Sequence, residues 1–155
     1  MTDIVLWRHA DAEPGVPDLH RALTPKGQKQ AKRVARWLHE RLPSDAVICA
    51  SPAKRAQQTA LALAHLGARE FVTVDAFAPA TQVDTALGAL RAIDPTRTVV
   101  VVGHQPTLGE LVSRLLGADV DDWPIRKGAV VWLAGREDDG RAHVVLRAAI
   151  TPDLV

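Results

Sequence analysis

The 155-residue chain carries a formal net charge of +1 and contains a single cysteine. The balanced charge gives no reason to expect nucleic acid or a membrane as the main partner, and one cysteine excludes an internal disulfide and favours a reducing compartment. No basic-then-apolar leader opens the sequence, and no apolar run reaches the length of a membrane span. We therefore expect a soluble cytoplasmic protein with one domain over residues 1–155.

The first predicted element is a short buried strand. Residues 3–7 are mostly apolar and β-prone, and this run ends at Arg8 and His9, just before the turn residues of 11–15. Two ionisable side chains therefore stand where a buried strand opens into a loop. Because ligands bind at the carboxyl ends of strands in open α/β sheets, this stretch is the first candidate for a functional site.

Strands and helices alternate along the following segments. After a predicted loop over 14–21, Thr24 and Pro25 indicate a capped helix that continues to about residue 41. The Lys, Arg and Gln residues fill the polar face of this helix, and we interpret the basic ones as a solvated face and not as a binding patch. A second buried strand is predicted over 46–50, and Ser51-Pro52 indicates the start of a second capped helix.

The second half of the chain continues the alternation. It contains a short edge strand over 71–74, a helix over 83–93, the strongest strand signal over 98–102, a helix that Gly117 ends, and a hairpin of 129–134 and 142–150. This order predicts an α/β fold, namely a three-layer α/β/α sandwich around a mixed, mostly parallel sheet.

Three of the predicted strands end near a His or an Arg. The side chains concerned are Arg8, His9, Arg55 and His104. If the strands are parallel neighbours, two imidazoles and two guanidiniums meet at one edge of the sheet. Guanidinium forks match phosphate oxygens, so this set predicts a site for a phosphoryl group. A neutral imidazole in such a site is a competent nucleophile.

At these residues the sequence resembles the histidine phosphatase superfamily, also called phosphoglycerate-mutase-like, and within it the short SixA-type phosphohistidine phosphatases. Four segments carry the resemblance, in the family's order and spacing: Leu6–Ala10, Arg21–Gly27, Ser51–Thr59 and Val102–Pro106. The resemblance implies the phosphoglycerate-mutase-like form of the three-layer fold.

The resemblance also implies roles for individual residues. His9 is the phosphorylated nucleophile, and Arg8, Arg55 and His104 complete the phosphate pocket as catalytic and substrate-binding groups. Arg21 matches a family arginine near the site and is a further substrate-binding candidate. No metal and no organic cofactor is implied.

The chain departs from the family pattern at two places. Ala10 stands where the superfamily usually has Gly, and because Ala tolerates a positive φ poorly we expect a negative φ there. Many relatives also carry a general-acid Glu just after a Pro in the region that matches 77–80, where this chain has no acid. Asp18 and Asp84 are the candidates to replace it.

The missing acid bears on the substrate. An imidazole is a better leaving group than an alkoxide and needs a positioned acid less, and the short chain predicts an open site that admits a histidine on another protein. We therefore predict a phosphohistidine phosphatase in signal transduction, with a phosphorylated partner such as a histidine phosphotransfer domain. The alternatives are a phosphatase or mutase for small phosphorylated substrates, and a non-enzymatic phosphoprotein-binding module.

Two other chemistries have weaker support. A metal hydrolase would use His9, Asp11, Glu13 and His104, which lack the helical spacing of zinc-hydrolase ligands. Cys49 lies in an apolar strand and is predicted to be a core residue rather than a nucleophile.

Overall fold

Strands and helices alternate through residues 2–155, which the computed structural model describes apart from the side chain of Asp138. The strands are β1 (Ile4–Arg8), β2 (Val47–Ala50), β3 (Phe71–Thr73), β4 (Val99–Gly103), β5 (Val130–Asp138) and β6 (Arg141–Ile150). The helices are α1 (Pro25–His39), α2 (Lys54–Ala64), α3 (Val83–Arg91) and α4 (Thr107–Leu116), and short 3₁₀ turns cover Asp18–His20, Asp75–Phe77 and Pro152–Leu154.

The six strands form one mixed sheet in the order β3-β2-β4-β1-β5-β6. The first four of these neighbours pair in parallel, and β5 and β6 add antiparallel to the β1 edge. Because β1, β2 and β4 are parallel neighbours, their carboxyl ends lie side by side. The predicted sheet is confirmed, including the short edge strand β3.

Alternate residues of the central strands face opposite helical layers. On β4, Val100 and Val102 pack in the cluster that contains the buried faces of α1 and α2. Val99 and Val101 pack instead with α3 and α4. A central strand covered on both faces reads as a continuous apolar run, which is why the 98–102 segment gave the strongest strand signal. The three-layer sandwich is confirmed.

Helix α1 begins as its sequence predicts. The Thr24 side chain accepts a hydrogen bond from the Gly27 N–H (2.9 Å), and Pro25 is the first helical residue. The first turn lies so close to the segment after β1 that a Cβ on Gly27 would overlap the carbonyl oxygen of Asp11. This contact holds the amino end of α1 beside the carboxyl end of β1.

Helix α2 begins later than the sequence predicts. It starts at Lys54, its preceding residue Ala53 supplies no side-chain cap, and Pro52 lies outside the helix. The Ser51 hydroxyl accepts a hydrogen bond from the Ala53 N–H (3.1 Å) but does not cap the helix. The predicted start at Ser51-Pro52 is therefore wrong, because the Ser51 hydroxyl bonds to the side chain of His104, just after β4, and does not cap α2.

Two other local predictions can be compared with the structure. Gly117 ends α4 in the left-handed conformation (φ 65°), as expected. The β5–β6 hairpin is present, but β5 runs to residue 138 and the turn is the tight pair Asp139-Gly140, both at positive φ. Within residues 2–155, no helix is both long and apolar enough to cross a membrane.

Candidate active site

The sheet brings three of the predicted site residues together at its carboxyl edge. His9 directly follows β1, His104 directly follows β4, and Arg55 lies in the first turn of the helix after β2. The His9 N–H donates to the carbonyl oxygen of Gly103 (3.0 Å), which fixes the two strand ends against each other. All three side chains are buried, at 6%, 4% and 4% exposure for His9, Arg55 and His104.

The two imidazoles and the Arg55 guanidinium are in direct contact range. The His9 and His104 ring centroids are 5.1 Å apart, and the rings are inclined by 51°. The Arg55 Nε–H donates to His9 Nε2 over 3.4 Å. These three residues and Arg8 are here called the phosphate pocket.

The protonation state of His9 follows from its contacts. Its Nδ1 lies 2.7 Å from the carbonyl oxygen of Ala10, which can only accept, so Nδ1 carries the proton and Nε2 carries the lone pair. Burial lowers the pKa of His9 to about 4, and the nearby charges of Arg55 and Arg8 act in the same direction. His9 is therefore a neutral imidazole at pH 7 with an unprotonated Nε2.

Ala10 and Thr59 hold the nucleophile candidate and Arg55 in one network. Among the described non-glycine residues, only Ala80 and Asp139 have positive φ, so the negative φ expected at Ala10 is confirmed. The Ala10 N–H donates to Thr59 Oγ1 (3.1 Å), and that hydroxyl donates to the Arg55 carbonyl oxygen (2.7 Å). Thr59 was not assigned a role from sequence, although its spacing of four residues from Arg55 places both on one face of α2.

His104 is oriented by Ser51. Its Nε2 lies 2.7 Å from Ser51 Oγ, which accepts the Ala53 N–H and has no acceptor other than Nε2 for its own proton among the described residues, so we assign the Ser51 hydroxyl as the donor to Nε2. His104 then carries its own proton on Nδ1, a buried atom with no hydrogen-bond partner among the described residues. Burial lowers the pKa of His104 to about 3, and its proximity to His9 and Arg55 adds to this effect.

Arg8 brings the second positive charge. Its Nη1 donates to the carbonyl oxygen of Ile125 (2.8 Å), whereas its Nε is buried and has no partner in the described part of the chain. Burial and the charge of Arg55 lower the pKa of Arg8. Two guanidiniums within electrostatic range of each other repel, and an anion between them relieves that repulsion.

Asp18 is the carboxylate in contact with Arg55. The Arg55 Nη1 and Nη2 groups donate to the Asp18 carbonyl and carboxylate oxygens (2.9 and 3.1 Å). Arg21 donates to the other carboxylate oxygen of Asp18 (3.0 Å) and to the carbonyl oxygen of Glu13. None of the Arg21 hydrogen bonds reaches His9, Arg55 or His104, so this predicted residue touches the pocket only through Asp18.

The candidate acids differ in their positions. The hydrogen bond from Arg21, followed by that from Arg55, holds the pKa of Asp18 below its usual value, so Asp18 is ionised and is a poor proton donor. Asp84 pairs with Arg114 (2.9 Å) on the exposed surface of α3 and α4. Residues 77–80 contain no carboxylate, as the sequence shows, and just after them the carbonyl oxygen of Thr81 accepts a hydrogen bond from the Thr107 hydroxyl at the start of α4.

The described residues offer little support for a metal hydrolase or for a cysteine nucleophile. Among the described residues, no group of three or more His, Cys, Asp or Glu is placed to hold a metal ion. Asp11 instead pairs with Lys127 (3.3 Å) and accepts the Thr24 hydroxyl. Cys49 is buried, as predicted, and burial raises the pKa of its thiol to about 11, which suppresses the reactive thiolate.

Comparison with known proteins supports a phosphatase. The family model of the histidine phosphatase superfamily (branch 1) matches residues 4–79. An uncharacterized protein from Mycobacterium tuberculosis is 40% identical over 149 residues, which cover 85% of this chain and 90% of that one.

Two solved structures are also similar. The SixA protein from Nakamurella multipartitia is 30% identical, with a TM-score of 0.78 and coverage of 97% of this chain and 96% of that one. The protein histidine phosphatase SixA complexed with tungstate has a TM-score of 0.83 at 22% identity, with 98% of each chain covered, and shows the same fold. The chain therefore belongs to the histidine phosphatase superfamily, SixA type, and is a phosphatase.

Proposed function

We propose that this phosphatase removes phosphate from phosphohistidine on proteins, through a phosphorylated His9 intermediate. The observation that carries the proposal is the combination of a neutral His9 with an unprotonated Nε2 and a pocket whose one contacting carboxylate, Asp18, is ionised by Arg21 and Arg55. The pocket therefore favours a substrate whose leaving group needs little help from a protein acid.

In the first step, the lone pair of His9 Nε2 attacks the phosphorus. The bond between phosphorus and the substrate imidazole breaks as the new P–N bond forms. Arg55 and Arg8 offset the charge on the phosphoryl oxygens, and the unpartnered Nδ1–H of His104 is the remaining buried donor for them. The departing imidazole leaves as a neutral ring when its other nitrogen is protonated, and it keeps the electron pair of the broken bond.

In the second step, water attacks the phosphorus of phosphorylated His9. The P–Nε2 bond breaks, the electron pair returns to Nε2, and both protons of the water leave with the phosphate, so His9 returns to its neutral form with the proton on Nδ1. The leaving group is again an imidazole, so both steps make the same small demand on a proton donor. A phosphate ester differs only in the first step, where an alkoxide has to leave, and that step is the slower one in a pocket without an acid.

The substrate comparison tests this proposal. Wild-type enzyme is given a phosphorylated histidine phosphotransfer domain, free phosphohistidine and small phosphate esters at equal concentration, and phosphate release is measured. We expect kcat/KM to be highest for the phosphorylated domain. Faster turnover of an ester would overturn the substrate class and favour the small-molecule alternative.

The nucleophile is tested by substitution. His9→Asn removes the lone pair at Nε2, so we expect phosphate release to fall by about 10³-fold or more. Acid-labile phosphate should be trapped on His9 of the wild type and be missing from the variant, as measured by mass spectrometry at neutral or basic pH. His65→Asn, on the exposed surface, is the matched control and should keep full activity. Retained phosphate release in His9→Asn would contradict the covalent mechanism.

A further inference from the structure

A groove of about 830 Å³ begins at Arg8 and runs along the exposed side of α1. Its other walls are the segment before β5 and the C-terminal 3₁₀ turn. We call it the basic groove, because its lining includes Arg8, Lys26, Lys29, Arg33, Arg126 and Lys127.

Positive charge is concentrated in this groove. Its six cations face only two carboxylates, those of Asp11 and Asp153. The whole chain carries nineteen basic and eighteen acidic residues, so the part outside the groove has thirteen basic and sixteen acidic residues and is net negative. The nearly neutral composition therefore conceals a separation of charge.

The side-chain charges along α1 are not held in close ion pairs. The side chains of Lys26, Lys29 and Arg33 are exposed and form no hydrogen bond or ion pair with any described residue, and only Lys26 is near enough to a carboxylate, that of Asp11, to lower its pKa. Their spacing places them on one face of the helix, over about 10 Å at 1.5 Å per residue. They are solvated, as the sequence predicts, but they also form one wall of a concave surface.

The basic groove is continuous with the phosphate pocket. Arg8 lines the groove and belongs to the pocket, and Asp11 comes two residues after His9. The Gly128 N–H donates to the carbonyl oxygens of both Arg8 and His9 (3.1 and 3.0 Å), which fixes the Lys127 segment beside the nucleophile. The groove therefore borders the pocket at Arg8, where a protein that presents its phosphoryl group to His9 can also contact the groove.

We propose that the basic groove binds an acidic surface of the protein whose phosphohistidine enters the pocket. The inference rests on the proposed function, and it names the chemistry of the partner. Apart from Arg8, the cations of the groove are exposed on long side chains, three of them spread over two turns of α1 and two on the segment before β5. This spacing suits carboxylates distributed over a protein face, because a compact polyphosphate is bound by donors that converge on one point.

The main effect of such a surface is on association. Complementary charge raises the rate of encounter and is screened by salt, so its contribution shows in kcat/KM at low ionic strength. A small substrate has no surface to place over the groove. The ratio of kcat/KM for the protein substrate to that for free phosphohistidine is therefore the quantity that the groove controls.

The test uses two pairs of charge reversals on the same helix. Lys29→Glu/Arg33→Glu reverses two charges that line the groove, and Lys32→Glu/Arg36→Glu reverses two exposed charges of the same types and spacing that do not. The substrates are an acidic histidine phosphotransfer domain phosphorylated on its histidine, and free phosphohistidine. At low salt, we expect the ratio of kcat/KM for the domain to that for free phosphohistidine to fall at least tenfold in the groove variant. The ratio should recover at about 0.5 M salt, which screens exposed charges. In the control variant it should stay within about twofold of wild type.

The outcomes separate the two proposals. An unchanged ratio in the groove variant, or an equal fall in both variants, overturns the groove inference alone. Wild-type enzyme that releases no phosphate from the domain overturns the proposed function and the inference with it. Inhibition by tripolyphosphate that the groove variant loses, with the substrate ratio unchanged, identifies a small polyanion as the ligand and also overturns the inference. Lys29→Gln/Arg33→Gln, which only neutralises the charges, should show a smaller fall and replaces the reversal variant if that one does not fold.

Discussion

Of the two positive charges of the phosphate pocket, Arg55 is buried and Arg8 is half-buried, and both are hydrogen-bonded, whereas most charges of the basic groove are exposed. Arg55 bonds to His9 and Asp18, and its backbone is held by Thr59. Lys29 and Arg33, one helix away, have no such partners. In the pocket, Arg55 is held by three neighbouring residues, whereas in the groove the side chains of Lys29 and Arg33 are held by none.

This difference teaches what each region is able to do. A buried guanidinium with fixed geometry acts at full strength on a charge that develops at one point, because little water screens it. An exposed lysine on a flexible stem is screened by water and salt and contributes little at any single point. The pocket is therefore suited to stabilise the charge that develops during a reaction, and the groove is suited to attract a charged partner before it binds.

The largest expected effect comes from removing a fixed charge of the pocket. Arg55→Ala deletes a buried guanidinium beside His9 that offsets the charge on the phosphoryl oxygens, so we expect kcat/KM on free phosphohistidine to fall about 10²–10³-fold. Arg33→Ala, the counterpart from the groove, should lower it by less than about threefold. Steady-state phosphate release measures both. Similar losses in the two variants would remove the distinction between the regions.

A smaller effect is expected from Ser51, which orients the pocket without carrying charge. Ser51→Ala removes the hydroxyl that bonds to His104 Nε2, and we expect kcat to fall about tenfold with little change in KM. The readout specific to positioning is the ¹⁵N NMR signal of the His104 ring, which should show a changed tautomer. Ser113→Ala is the matched control, because Ser113 is buried and its hydroxyl has no partner in the described structure. An unchanged His104 tautomer in Ser51→Ala would contradict the positioning role.

The stability of the wild-type protein is expected to depend on pH through the two buried imidazoles. Burial lowers the pKa of His9 to about 4 and that of His104 to about 3, against an ordinary value of 6.5. Between 6.5 and these values, the unfolded chain binds protons that the folded chain does not, so stability falls as pH drops below 6.5, by up to about 1.4 kcal/mol per pH unit for each imidazole. More than about one pH unit above 6.5 the two rings contribute no pH dependence, because they are neutral in both the folded and the unfolded chain.

Two measurements check this. NMR titration of the ring protons gives the midpoints directly, and urea unfolding between pH 7.5 and 5 gives the slope. His9→Asn should reduce the slope, because only His104 is left to contribute. Midpoints near 6.5 would show that the pocket is more hydrated than the structure has it.

The sequence predicts the features whose causes are local. Thr24 caps α1 through the N–H of a residue three positions on, and Gly117 ends α4 by its own backbone angle. The strands follow from the length and apolar character of their runs. The clustering of His9, Arg55 and His104 could also be predicted, because parallel strands place their carboxyl ends at one edge.

The features that were missed depend on residues far apart in the chain. Ser51-Pro52 carries the local signal of a helix start, yet the Ser51 hydroxyl bonds to His104, which is 53 positions away. Asp18 could be named as a candidate acid but not placed, because its partner Arg55 is 37 positions away. A basic helix face has the same pattern whether it borders open water or one wall of a groove, so the groove could not be predicted from α1 alone.

The hydroxyl of Thr59 couples the position of His9 to the position of α2. It accepts from the backbone of the residue after His9 and donates to the backbone of Arg55, so one side chain of α2 links the backbone next to His9 to the helix that carries Arg55. A shift of α2 then carries both groups in the same direction. Their separation is expected to survive motions of the helix that a partner protein induces when it docks, which keeps the geometry of attack independent of the fit between the two surfaces.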